Sequence, residues 1–131
     1  MPIVTAFYAA LLAILGFVLS IRVIRLRRGK RVSLGDGGDP VLERASRAFG
    51  NFAEYAPLFI ILLALAEVLG TSRPWLHLFG ALFVLARIAH AVGLSFTHGA
   101  SPGRFVGMTA TQAVLIGLAV SLLIVSVPKI F

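Results

Sequence analysis

Between Ile3 and Ile21 the chain carries no charged side chain, an apolar run of about 19 residues. At 1.5 Å of rise per residue, such a helix crosses roughly 30 Å of hydrocarbon. Basic and apolar residues then alternate over Arg22-Val-Ile-Arg-Leu-Arg-Arg28, so the helix is expected to continue as an amphipathic segment, with its spanning part over 3–25. Gly29 to Pro40 collects glycines, aspartates and a proline and reads as a loop. Asp39-Pro40 fits the start of a second helix, with Asp39 as N-cap, Pro40 in the first turn and Glu43 near the positive helix end. That helix is most apolar from Phe52 onward and is closed by Gly70-Thr-Ser-Arg-Pro74, giving a span over 41–69. Trp75, suited to the membrane interface, opens a third span over 75–96. The loop-like His98-Gly-Ala-Ser-Pro-Gly103 leads to a fourth over 104–127. The pattern predicts an all-α, integral membrane four-helix bundle in a single domain, 1–131, with no room for a large extramembrane domain.

Composition sharpens this picture. With 59% hydrophobic and 13% charged residues and a mean hydropathy of +0.98, a chain of 131 residues is too apolar to hide its surface in a soluble core. The net charge of +7 would suggest nucleic acid in a soluble protein. Here eight of the twelve basic residues lie in one stretch beside the first apolar run, from Arg22 to Arg47. That distribution is topological rather than nucleic-acid-binding, and it assigns the first and third loops to the cytoplasm and both ends of the chain to the other side. The basic residues follow the first apolar run instead of preceding it, so that run reads as a retained span and not a secretory signal. With no cysteine, disulfides, thiolate metal sites and cysteine nucleophiles are excluded.

Ionisable groups inside spans are costly and mark function, and here they are few. Arg47, Asn51 and Glu54 follow one another at intervals of four and three residues, which sets them on one stripe of the second helix with Tyr55 beside it. Arg87 and His90 lie one turn apart on the third helix, and Arg104 opens the fourth. By the topology above, all seven converge near the cytoplasmic face. Several guanidinium groups, a carboxylate, an amide and a phenol suit a small, largely anionic zwitterion. The alternative is that Arg47, Glu54 and Arg87 neutralise one another as glue between helices. His77 near the opposite face, His90 in a span and His98 in a loop form no metal cluster. Gly35-Asp-Gly-Gly-Asp39 reads as a turn, Pro57 as a helix kink and Glu67 as a solvated end charge.

The segment Glu43-Arg-Ala-Ser-Arg47-Ala-Phe-Gly-Asn51-Phe-Ala-Glu54-Tyr55-Ala-Pro57 resembles the second-helix signature of the membrane-associated proteins in eicosanoid and glutathione metabolism, the MAPEG family. Its members include microsomal glutathione transferases, leukotriene C synthase and microsomal prostaglandin E synthase. Ala86-Arg87-Ile-Ala-His90 is similar to the family's third-helix motif, and Arg104 falls where many members carry the arginine beside the glutathione sulfur. The resemblance covers essentially the whole chain. It implies a homotrimer in a bacterial inner membrane, with glutathione as co-substrate bound between subunits near the cytoplasmic face and no metal. Arg47, Asn51, Glu54 and Tyr55 would hold the tripeptide, Arg87 and His90 would assist, and Arg25 or Arg28 would add an anion contact. Arg104 would be catalytic, stabilising the thiolate, because an adjacent guanidinium lowers a thiol pKa.

The implied activity is a transferase or peroxidase that brings glutathione to a lipophilic electrophile from the surrounding lipids. Two departures keep a non-catalytic, lipid- or ligand-binding member in view. Phe49 stands where better-known members often have His or Gln, and Leu94 where several have Tyr. Phe105 follows Arg104 in place of the serine of the prostaglandin enzyme, so eicosanoid specificity is not implied. A small multidrug exporter of similar length would need a carboxylate deep in a span, usually the first, which has none.

Overall fold

A computed structural model describes residues 1–96 and 101–130 of the chain. The four helices are α1 (Ile3–Lys30), α2 (Pro40–Val68), α3 (Arg73–Phe96) and α4 (Pro102–Ile130). Each is long and apolar enough to cross a membrane, and the protein is a multi-pass membrane protein. His98 and most of the loop around it lie outside the described residues.

The helix boundaries follow local chemistry, with four differences from the sequence reading. α1 continues through Gly29 to Lys30, because one glycine costs only about 1 kcal/mol in a helix already many turns long. It stops at Arg31, which takes the left-handed conformation at φ 56° while its N–H and that of Val32 bond back to Arg28 and Arg27 carbonyls. α3 begins at Arg73 instead of Trp75, since Pro74 falls in the first turn, where its missing N–H costs nothing. α4 runs from Pro102, past Pro128 in its last turns, to Ile130. The cap of α2 is as read: Asp39 Oδ1 accepts from the N–H groups of Val41 at 2.9 Å and Leu42 at 2.8 Å. Its other oxygen pairs with Lys30, and this bond, together with the Leu42 N–H, holds the Asp39 carboxyl below its ordinary range.

The fourth difference concerns Glu67. Far from being a solvated end charge, it accepts from Val4 N at 2.9 Å, Thr5 N at 2.7 Å and Thr5 Oγ1 at 2.8 Å. The residue preceding α1 is Pro2, which supplies no side-chain cap. The first N–H groups of an apolar helix need an acceptor, and a carboxylate from the end of α2 provides it, favoured also by the helix dipole.

Within the bundle α2 and α3 pack together, α1 contacts α2 and α3, and α4 contacts the same pair from the other side. The core is built by Leu12 of α1, Phe59 and Leu63 of α2, Leu76 and Phe83 of α3 and Leu118 of α4. Phe59 and Phe83 stack with centroids 3.9 Å apart. Half of the most apolar stretch of α3 is buried but only 17% of that of α4, so α3 is the central helix and α4 turns mostly outward. Exposed Phe17, Ile61, Leu85 and Ile124 leave each helix an apolar outer face suited to lipid or to another subunit.

Candidate functional site

The end of the bundle formed by the C-termini of α1 and α3 and the N-termini of α2 and α4 holds a cavity of about 400 Å³. α2 supplies Ser46, Arg47, Gly50, Asn51 and Glu54; α3 supplies His90 and Leu94; α4 supplies Arg104. Arg47, Glu54 and Arg104 are exposed, whereas His90 and Leu94 are buried.

Arg104 reaches this wall because α3 and α4 approach backbone to backbone. A Cβ added to Gly93 would come within 2.6 Å of Arg104 N, and one added to Gly107 within 2.6 Å of His90 N. No real side chain tolerates such contacts, so these two positions are restricted to glycine by proximity. Ser101 Oγ ties the start of α4 to α3, donating to the Gly93 carbonyl at 3.2 Å and accepting from Arg104 N at 3.3 Å.

Arg87 is fully buried and stands behind the cavity rather than on its wall. Its Nη2 donates to Asn51 Oδ1 at 2.7 Å and lies 3.3 Å from His90 Nδ1, while Nη1 donates to Thr111 Oγ1 at 3.4 Å. The guanidinium lies 5.7 Å from the centre of the Tyr55 ring. A guanidinium only donates, so His90 Nδ1 must accept and its ring proton belongs on Nε2. His90 therefore offers the cavity an N–H donor rather than a base. By the same logic Asn51, whose oxygen is occupied by Arg87, has its Nδ2 donor left for the cavity. Among the described residues, Arg87 Nε and Ser46 Oγ are buried without a hydrogen-bond partner.

Arg87 does join helices, but through Asn51 of α2 and Thr111 of α4 and not by a direct ion pair with Glu54. Among the described residues the ion pair is Lys30 with Asp39, and Arg87 bonds an amide, an imidazole and a hydroxyl instead of a carboxylate. A polar wall that presents charges of both signs suits a ligand that carries both.

Five of the sequence-derived candidates, Arg47, Asn51, Glu54, His90 and Arg104, share the cavity wall. Tyr55 does not; its hydroxyl accepts from Gln112 Nε2 of α4 at 3.2 Å and its ring faces Arg87. Arg25 and Arg28 are exposed and lie off the wall, and it is Arg27 that borders an adjoining recess of about 410 Å³ shared with Ser46 and Arg47. Ser46 and Gly50 were missed, although helical spacing sets both beside the Arg47–Asn51–Glu54 stripe. Among the described residues, no three His, Cys, Asp or Glu side chains come together to hold a metal ion.

A family model described as the MAPEG family matches residues 5–124. The chain belongs to the MAPEG family. Among curated proteins it is similar to the inner membrane protein YecN of Escherichia coli K12, 38% identical over 113 residues that cover 86% of this chain and 85% of that protein. The protein of the same name from Escherichia coli O6:H1 matches to the same extent. The MAPEG match spans every residue on the cavity wall, from Ser46 to Arg104.

Proposed function

We propose that the cavity binds glutathione as its thiolate and that the protein is a glutathione-dependent transferase or peroxidase for lipophilic electrophiles. The observation that carries this reading is Arg104 sharing one wall with Arg47, Asn51 and Glu54, so that guanidinium groups, an amide and a carboxylate face one cavity. Glutathione brings two carboxylates, one ammonium and one thiol. Arg47 and the Asn51 amide suit a carboxylate, Glu54 suits the ammonium and the His90 N–H a peptide carbonyl. A cavity of 400 Å³ falls in the range of about 300–1,000 Å³ common for small-molecule sites. Arg87, buried behind the wall, acts through Asn51 and His90 by fixing which atoms they present.

The chemistry asked of Arg104 is modest and sufficient. At pH 7 a thiol with a pKa near 8.5 is about 3% ionised. Lowering that pKa by about two units, as a close guanidinium does, raises the thiolate fraction about 25-fold. The proton leaves to water, the sulfur lone pair forms the new bond to the electrophilic carbon, and the leaving group departs with the electrons of the bond that breaks.

The exposed charges of Arg47, Glu54 and Arg104 would be costly against hydrocarbon, which supports a homotrimer whose neighbouring copy closes the site. The likeness to the inner membrane protein YecN supports a bacterial inner membrane, and the basic residues between Arg22 and Arg47 support cytoplasmic first and third loops. A second reading, a ligand-binding member without turnover, has one observation in its favour: buried Leu94 gives the wall an apolar surface where several relatives carry a phenol.

The test is conjugation of glutathione to an aryl halide by detergent-purified protein, with Arg104→Ala alongside. Turnover in the wild type that falls at least about 25-fold in the variant supports the enzyme. Glutathione binding without turnover in either protein favours the second reading, and no binding at all rejects both.

A further inference from the structure

Away from the cavity, on the outer side of α1, Phe17, Val18 and Ile21 line a groove of about 480 Å³ with Val41 of α2, and Arg22 and Arg25 stand at its basic end. Phe17 and Val18 are 67% and 57% exposed, an apolar strip with nothing upon it among the described residues. No acidic residue lines the groove. Neither arginine joins the ion pair between Lys30 and Asp39. Arg22 is nevertheless held in place, its guanidinium 5.0 Å from the centre of the Phe96 ring of α3. A stacked guanidinium keeps its N–H edge free for an anion. Arg25 lies one turn further along α1, on the same face.

We propose that this groove is a binding site for an anionic phospholipid, whose phosphate is held by Arg22 and Arg25 and whose acyl chain lies along Phe17, Val18 and Ile21. The arrangement has the polarity of a lipid: two cations at the end of an apolar helix run, and a greasy strip leading from them toward the membrane interior. Basic pockets beside helix ends recognise anionic headgroups by this combination. Charge complementarity selects the occupant, because two guanidinium groups without a carboxylate repel a cationic amphiphile and gain little from a zwitterion. The site is independent of what the cavity binds, and it gives Arg25 a partner other than the cavity's ligand.

The experiment is native mass spectrometry of the detergent-purified protein titrated with phosphatidylglycerol or phosphatidylcholine. The wild type is expected to retain phosphatidylglycerol at lower lipid concentration. Arg22→Gln/Arg25→Gln is expected to weaken that binding about tenfold or more, removing the preference. Arg28→Gln/Arg31→Gln, which removes the same charge at the same end of α1 outside the groove, is expected to change it less than about twofold. Val18→Trp keeps both arginines but fills the strip and is expected to lower phosphatidylglycerol binding several-fold. Equal binding of the two lipids by the wild type, equal losses in the two double variants, or unchanged binding in Val18→Trp would each overturn the site.

Discussion

At one end of the bundle Glu67 accepts three hydrogen bonds from the start of α1, and Tyr8 donates to the His77 carbonyl at 3.0 Å with its oxygen 3.2 Å from His77 Nδ1. At the other end Arg47, Glu54 and Arg104 stand around a cavity, and among the described residues Ser46 Oγ and Arg87 Nε are buried without hydrogen-bond partners. Both ends place polar groups on helices that are otherwise apolar, at a cost in free energy. At the first end the protein itself satisfies them, so they serve the fold. At the second the satisfaction is incomplete and the polar groups line a cavity, which supports the proposed ligand site.

The contrast can be broken by exchanging damage between the two ends. Arg104→Ala is expected to reduce conjugation at least about 25-fold while leaving the oligomer and its melting temperature unchanged, as followed by turnover and by size-exclusion chromatography. Glu67→Ala is expected to do the reverse. Losing a charged acceptor that serves three donors costs about 2 kcal/mol, which should appear as a lower Tm with glutathione affinity intact. A Glu67→Ala protein with normal stability would mean that the α1 N-terminus is satisfied by other means. Glu54→Gln keeps the shape and removes the charge, and is expected to weaken glutathione about tenfold by calorimetry, the loss of one charge-assisted contact. Equal affinity in the two proteins would remove Glu54 from the ligand.

The smallest effect concerns the cap of α2, which belongs to neither end's polar set. The carboxyl of Asp39 is held below its ordinary range in the folded protein, chiefly by Lys30. Its contribution is therefore present above the unfolded carboxylate range, near pH 4, and disappears as pH falls through the lower folded value. Acid titration of Tm should fall less steeply in Asp39→Asn than in the wild type, with the two curves converging at low pH. Identical slopes would show that the pair with Lys30 contributes nothing.

The four helices and the Asp39–Pro40 start of α2 were legible because apolar length and capping chemistry are local properties. So was the Arg47–Asn51–Glu54 stripe, since period 3.6 alone aligns it. Ser46 and Gly50 were passed over because a wall shared among three helices is wider than the stripe one helix suggests. The partner of Glu67 lies 62 and 63 residues away on α1, and no local pattern reports a contact at that separation. Tyr55 sits next to Glu54 in sequence, yet one residue rotates it by about 100°. That turn carries it from the cavity to Arg87 and Gln112, a distinction that depends on where α4 packs.

The central claim is that Arg104 ionises a thiol held in this cavity. Ultraviolet difference absorbance of the glutathione thiolate, recorded as glutathione is added to detergent-purified protein near pH 7, tests it without assuming any second substrate. The account predicts a saturable thiolate band in the wild type and in Glu67→Ala, and none in Arg104→Ala although glutathione still binds. A band of equal size in Arg104→Ala, or its absence from wild-type protein that demonstrably binds glutathione, would contradict it.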